Sequence, residues 1–186
     1  IKEVIVINDG SSDQTLGIAK SMMSSYRNLK IINKKNSGKA DSLNKALDFC
    51  TGDLIVVIDA DSYPSRDSFK RMAGYFDDPQ VGAATAACIP RNRETFIEKL
   101  QVMEYKVIAF TRKLLEYIDS IYVVPGTLAM YRAAAIKKAR FDPKNITEDI
   151  EATWHLVHDG WKIKMCLSAQ VTTDVPNRIK PWYKQR

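Results

Sequence analysis

The stretch Leu54-Ile55-Val56-Val57-Ile58-Asp59-Ala60-Asp61-Ser62 constrains the fold more than any other part of the chain. Five apolar residues in a row, with β-branched Ile55, Val56 and Val57 at their centre, predict a strand buried on both faces, as in a parallel sheet covered by helices. The run ends in acid. Side chains alternate along an extended chain, so Asp59 and Asp61 are expected to point the same way, just past the strand's C-terminal end, where open α/β sheets bind ligands. Two carboxylates there suit a hard cation such as Mg²⁺, which takes one or two protein carboxylates and completes its shell with water and phosphate oxygens. A solvated turn carrying two acids is the plainer reading, and a D-x-D alone does not choose.

A chain of 186 residues with 45% hydrophobic and 27% charged content is long enough for a real core, predicts one globular domain and argues against disorder. The net charge of +6 suits an anionic partner, whether nucleotide, nucleic acid or acidic membrane surface. Cys50, Cys88 and Cys166 are odd in number and widely spaced beside apolar residues, which predicts reduced core residues of a cytosolic domain. No C-x-x-C or His cluster suggests zinc. No apolar run approaches the ~20 residues of a membrane span, and nothing resembles a signal peptide. The abrupt start at Ile1-Lys2-Glu3 and the end at Lys184-Gln185-Arg186 lead us to expect a piece of something larger.

Along the chain, Val4-Ile5-Val6-Ile7 reads as a first strand, followed by the turn Asn8-Asp9-Gly10-Ser11-Ser12-Asp13 and a helix that Ser12 or Asp13 can cap. Asp9 stands at a strand end as Asp59 does. It can contact a nucleoside or serve its own loop as an Asx-turn acid. Leu29-Lys30-Ile31-Ile32 is a second strand, and Asn36-Ser37-Gly38-Lys39-Ala40 opens a helix through Leu43 and Leu47. Lys39 falls in the first turn, where the helix dipole disfavours a cation, so either a nearby phosphate or simple solvent exposure must account for it. After the central strand, Phe69, Met72 and Phe76 mark a helix. Val81 to Ile89 reads as a strand of small residues, close-packed against a neighbour.

Glu94 to Ile118 is the longest predicted helix. Its stripe Ile97, Leu100, Met103, Val107, Phe110, Leu114 and Ile118 is expected to face the core. Two short extended pieces flank Pro125-Gly126, a short alanine-rich helix covers Ala133 to Lys138, and another helix begins near Thr147 and stops at Gly160. Thr147 is a plausible N-cap there, and Glu148 and Asp149 complement the helix dipole, which accounts for their acidity without catalysis. Trp161 to Cys166 and Ala169 to Thr172 read as strands, followed by a basic, aromatic tail.

Four stretches taken in order resemble the family 2 glycosyltransferases, especially the membrane-embedded synthases of β-linked polysaccharides such as poly-N-acetylglucosamine, hyaluronan and cellulose. Val6-Ile7-Asn8-Asp9-Gly10-Ser11-Ser12-Asp13 is similar to the family's first nucleotide-binding motif, and Asn36-Ser37-Gly38-Lys39-Ala40 with Leu43-Asn44 to the next. Asp59-Ala60-Asp61-Ser62 matches the metal-binding D-x-D, and Thr147-Glu148-Asp149 the T-E-D whose last carboxylate is the catalytic base. Pro125-Gly126-Thr127 and Tyr131-Arg132 also have counterparts.

The resemblance implies an α/β, Rossmann-like GT-A fold with a mostly parallel central sheet flanked by helices, the family's N-terminal strand missing, and residues 1–186 forming a single catalytic domain cut from a larger protein. It implies an inverting, metal-dependent hexosyltransferase moving a sugar from a nucleotide-sugar donor, a UDP-sugar, to a saccharide hydroxyl to form a β-glycosidic bond. Asp149 would be the base, Asp61 with Asp59 would hold Mg²⁺ or Mn²⁺, and Asp9, Lys39 and Asp59 would bind the nucleotide. Glu148, Gln185 and Arg186 would border the acceptor or diphosphate, the last two as the opening of a Q-x-x-R-W signature. The implied partners are a nucleotide-sugar donor and a saccharide acceptor, with no nucleic acid. The implied place is the cytoplasmic face of the cell membrane, held by segments of the parent protein absent here, the fragment itself being soluble.

Two other readings stay open. A Rossmann-like phosphohydrolase would use the first Asp of an Asp-x-Asp as nucleophile, near the chain start and with Thr or Val where Tyr63 stands here. A non-catalytic nucleotide or nucleic-acid binding module would draw on the positive charge and the aromatic basic tail, with affinity falling steeply with salt.

Overall fold

The computed structural model describes residues 1–186. Strand β1 (Val4–Asp9) and strand β2 (Leu29–Lys34), joined through helix α1 (Thr15–Met22), form a parallel pair in which Val4 faces Leu29 and Asp9 faces Lys34. Helix α2 (Lys39–Phe49) then leads to β3 (Leu54–Val57), the short β4 (Ser62–Pro64), and helix α3 (Ser68–Ala73), extended by a 3₁₀ turn over Gly74–Asp77. Strand β5 (Val81–Pro90), the long helix α4 (Phe96–Glu116), β6 (Ala129–Arg132), α5 (Ala133–Ala139), α6 (Glu148–His158), β7 (Lys162–Thr173) and α7 (Ile179–Gln185) complete the chain.

The main sheet has the order β3-β6-β5-β7-β4. It is mixed. The longest ladder, β5 with β7, is parallel, whereas β6 runs antiparallel to β3 and β5, and β4 antiparallel to β7. The expected mostly parallel sheet therefore holds for the two long ladders, β1 with β2 and β5 with β7, and fails for the short strands β3, β4 and β6, which pair antiparallel. The pair β1-β2 is not hydrogen-bonded to the main sheet, so β1 and β3 each have a single strand partner.

Alternation along the strands divides the core in two. One face gathers Ile55, Val57, Ala83, Ala87, Tyr131 and Met165 beneath α2, α5 and α6, and the other gathers Ala84, Ala86, Cys88, Met130 and Val171 beneath α3. Strand β5 is buried along nearly its whole length. Its small residues let neighbours approach: a Cβ at Gly82 would lie 2.5 Å from the Cβ of Trp161. The two strands expected between Trp161 and Thr172 are one continuous strand, β7, with a register irregularity opposite Ala86 and Ala87.

Helix α4 corrects the sequence reading. Of the stripe expected in the core, Met103 is 66% exposed, Val107 62%, Phe110 61% and Ile118 69%, while Glu98 and Gln101 are buried. The polar side turns inward because Glu98, the Gln101 amide nitrogen and Glu116 meet fixed partners. Glu98 closes a capping box with Thr95 and accepts from Asn92, Gln101 Nε2 donates to the carbonyls of Ile97 and Pro176, and Glu116 accepts from the backbone N–H of Met165. Buried polar groups so satisfied cost little, and together they fix the helix's rotation.

Candidate active site

The site is built where β3 ends. The strand stops at Val57, one residue short of the apolar run, and the Ser62 N–H donates to the Asp59 carbonyl at 3.0 Å. A turn therefore replaces the extended chain that would have aimed Asp59 and Asp61 alike, and alternation does not govern them. Asp59 turns to Lys39, with Nζ to Oδ1 at 2.6 Å, and the same ammonium lies 3.3 Å from Glu148 Oε1. Asp61 is exposed, and its carbonyl accepts from Thr173 Oγ1.

Lys39 thus has a reason to stand in the first turn of α2: it joins the N-terminal ends of α2 and α6 to the end of β3. Gly126 makes room for the join. Its carbonyl accepts from the Asp59 N–H at 2.9 Å, and a Cβ on it would sit 2.6 Å from Lys39 Nζ and 3.0 Å from Asp59 Oδ1. Burial works to lower the Lys39 pKa, but the hydrogen bond and charge of Asp59, helped by Glu148, hold it above the ordinary lysine value.

Asp149 follows Glu148 on α6 and is half-buried. Burial first, and the adjacent Glu148 charge second, raise its pKa above the ordinary aspartate value, opposed by the Ile150 N–H and by Lys39. The helix start is anchored from below. Buried Thr153 donates through Oγ1 to the Asp149 carbonyl at 2.6 Å and accepts from the Val124 N–H at 3.0 Å. Thr147 occupies the N-cap position without a side-chain capping bond, its hydroxyl donating instead to Asn145 Oδ1 at 3.1 Å. Fully buried Tyr131 lies within the fields of Asp149, Glu148 and Asp59, which with burial push its phenol far up. Burial lowers the pKa of Arg112 on α4, opposed by the fields of Tyr122 and Asp149, and its buried Nε has no hydrogen-bond partner.

Asp9 belongs to a different arrangement. Its Oδ1 accepts from Lys34 Nζ and from the Ser37 N–H at 3.0 Å, and its Oδ2 from the Gly38 N–H at 2.9 Å. These contacts, the Lys34 hydrogen bond foremost, lower its pKa. The carboxylate serves the loop entering α2, neither its own turn nor an open cleft. Gln185 is exposed at the end of α7, and Arg186 pairs with Glu104 of α4 at 2.7 Å and lies over Tyr105.

Of the residues singled out in the sequence, the structure brings Lys39, Asp59, Glu148 and Asp149 together with Asp61 in the adjoining turn, and leaves Asp9, Gln185 and Arg186 in separate contacts. Sequence reasoning assigned no site role to Lys34, Arg112 or Tyr131. Lys34 was recoverable only by assuming parallel pairing of β1 with β2, which sets it opposite Asp9. An apolar groove of about 520 Å³ lies elsewhere, lined by Val4, Val6, Ile18, Met22, Tyr26 and Leu29. It has no charged lining group and is remote in chemistry from the acids.

Asp59 and Asp61 could supply at most part of a cation's shell. No group of three or more His, Cys, Asp or Glu is arranged to hold a metal ion. The exposed Asp61 carboxylate beside Asp59 offers hard oxygen donors of the kind that Mg²⁺ or Mn²⁺ combines with phosphate oxygens.

Residues 1–140 match the sequence profile of glycosyl transferase family 2. Over its whole length the chain is 28% identical to the poly-beta-1,6-N-acetyl-D-glucosamine synthase of Staphylococcus aureus (strain COL), spanning 46% of that protein. It is 29% identical to the synthase of the same description from Staphylococcus epidermidis, again spanning 46% of its length. Among solved structures, the mannosyltransferase PcManGT of Pyrobaculum calidifontis, in complex with GDP-Man and Mn²⁺, superimposes with a TM-score of 0.76 at 22% identity, covering 95% of this chain and 48% of that one. S. aureus TarS 1-349 in complex with UDP-GlcNAc gives a TM-score of 0.65 at 20% identity, over 98% of this chain and 54% of that one. These likenesses support the α/β GT-A architecture, and the profile match decides the lineage: the chain belongs to glycosyl transferase family 2.

Proposed function

We propose that residues 1–186 are the catalytic domain of a larger, membrane-associated synthase that transfers a sugar, with inversion, from a UDP-sugar to a saccharide hydroxyl, forming a β-linkage. The observation that carries this reading is the convergence of Asp59, Lys39, Glu148 and Asp149 at one end of the main sheet. The names of the relatives favour N-acetylglucosamine as the sugar. Family membership sets aside the phosphohydrolase alternative.

Transfer requires a group that removes the acceptor's proton and others that manage charge on the departing diphosphate. Asp149 serves as the base. Its raised pKa gives the carboxylate a stronger hold on a proton at the moment the hydroxyl oxygen attacks the anomeric carbon from the face opposite the diphosphate. Thr153 fixes its backbone on a rigid helix, which keeps the carboxylate in place. Glu148 holds Lys39 at the acceptor side, and Lys39 in turn orients Asp59. A Mg²⁺ or Mn²⁺ ion held by Asp61 with Asp59 would supply Lewis-acid stabilisation of the leaving diphosphate. Asp9 acts on the nucleotide through the Ser37-Gly38 loop it holds. Gln185 and Arg186 extend the acceptor side beyond α4, and the synthase works at the cytoplasmic face of the membrane.

Titration of the chain with UDP tests the donor site. Binding that requires Mg²⁺ or Mn²⁺, disappears with a chelator and falls at least tenfold in Asp61→Ala is expected. UDP affinity indifferent to both changes overturns the metal-assisted reading.

A further inference from the structure

The outward face of α4 is apolar and exposed. Phe96, Leu100, Met103, Val107, Phe110, Leu114 and Tyr117 follow one another at steps of four and three, and all are exposed, Phe96 at 77% and Tyr117 at 78%. Seven large apolar side chains in one line, over a 21-residue helix some 30 Å long, exceed the scattered apolar exposure normal on a monomer. The helix is also turned with its polar side inward by fixed hydrogen bonds, so the apolar side cannot simply roll into the core.

The charges on this face are all of one sign. Lys99 and Lys106 are exposed between the apolar residues, and no acid of α4 shares their exposure. Beside α4, α7 is tied on by the Gln101 to Pro176 and Arg186 to Glu104 contacts. It adds exposed Ile179 and Tyr183 with exposed Lys180 and Lys184. No helix of the chain is long and apolar enough to cross a membrane.

We propose that this face of α4, with α7 at its margin, lies flat on an anionic lipid surface. Aromatic and aliphatic side chains in line, flanked by lysines, are what an interfacial helix presents: the apolar side enters about 5–10 Å into the headgroup boundary and the ammonium groups meet lipid phosphates. A second copy is the poorer occupant. Two-fold antiparallel packing of α4 on itself sets the row of Lys99 and Lys106 against its own image, and parallel packing sets Lys99 against Glu104, which Arg186 already holds. On the lipid surface the lysines repel nothing.

The contact uses this chain's own surface and does not depend on the catalytic assignment, so vesicle binding and UDP binding are read separately. The test is co-flotation of the 186-residue chain with vesicles of pure phosphatidylcholine, or of phosphatidylcholine with one third phosphatidylglycerol, at low and high salt. We expect flotation with the anionic vesicles, weakened by salt, and at least a tenfold loss of partitioning in Met103→Asp/Phe110→Asp and in Lys99→Glu/Lys106→Glu, with UDP binding unchanged. Both pairs are exposed, and circular dichroism checks that they fold. The proposal is overturned by a chain that stays behind with anionic vesicles, by flotation that neither pair of substitutions weakens, or by a stable dimer that Met103→Asp/Phe110→Asp dissociates.

Discussion

Two lysine–carboxylate sites stand at the ends of strands in this molecule, and they differ in what the carboxylate lacks. At the end of β1, Asp9 accepts from three donors, Lys34 and two backbone N–H groups, with its pKa lowered accordingly. Near the end of β3, one ammonium is shared between Asp59 and Glu148, and the next acid, Asp149, is left half-buried with only its neighbour's N–H and a raised pKa. The first site is held by its partners and stabilises a loop. The second leaves a half-buried acid with a raised pKa, a perturbation of the kind that clusters at functional sites.

The sharpest way to break this comparison is Asp149→Asn in the whole synthase. Loss of a general base should reduce transfer by about 10²–10⁴-fold while UDP affinity stays within about twofold. Stability should move the other way. A carboxylate whose folded pKa is raised favours the folded state most below its unfolded value, and that advantage is lost as pH rises through the folded value. At neutral pH the ionised Asp149 is therefore a liability, and the amide should raise the thermal midpoint slightly. Transfer intact in Asp149→Asn would remove the base assignment.

Asp9→Ala should do the opposite: lower the thermal midpoint on the order of several degrees, with a smaller loss of UDP affinity that follows the loosened Ser37-Gly38 loop. The pH signature also reverses. With a lowered folded pKa, the contribution of Asp9 is present above the ordinary aspartate value and lost as pH falls through the folded one, so the variant and parent stabilities should converge in strong acid. Equal melting of the two at pH 7 would mean that Asp9 is no staple.

The difference between the two sites was not legible in the sequence, although their residues were. Val4 to Ile7, Leu29 to Ile32 and Leu54 to Val57 announced their strands by short runs rich in β-branched residues, and the motif order marked Asp9, Asp59, Asp61 and Asp149. What the chain did not declare was partnership. Nothing local says that Lys34 meets Asp9 or that Lys39 crosses to Asp59, because both pairings span loops closed by tertiary contact. The turn from Asp59 to Ser62 defeated the alternation argument through one backbone hydrogen bond. On α4, hydrophobic periodicity located the helix correctly and its rotation wrongly, since Glu98, Gln101 and Glu116 found better partners inside than the apolar stripe did.

Gly126→Ala probes the space that lets the open site form. The added Cβ would come within 2.6 Å of Lys39 Nζ, the far end of a flexible side chain, so the fold should survive while the ammonium shifts off Asp59. We expect roughly a tenfold loss in metal-supported UDP binding with little change in melting. Unaltered binding would show that the Lys39–Asp59 pair does not set the donor site.

The finest adjustment is Glu148→Gln. The Glu148 charge is the second cause, after burial, that raises the Asp149 pKa, so neutralising it should bring that pKa down and move the acid limb of the transfer profile to lower pH by a fraction of a unit. Lys39 opposes Glu148 in this respect, and Lys39→Met should move the same limb upward. Opposite displacements from two substitutions touching the same ammonium contact separate an electrostatic effect on the base from simple damage to the site, which would depress the rate at all pH values without moving the limb. An acid limb that stays in place in both variants would mean that some group other than Asp149 titrates there.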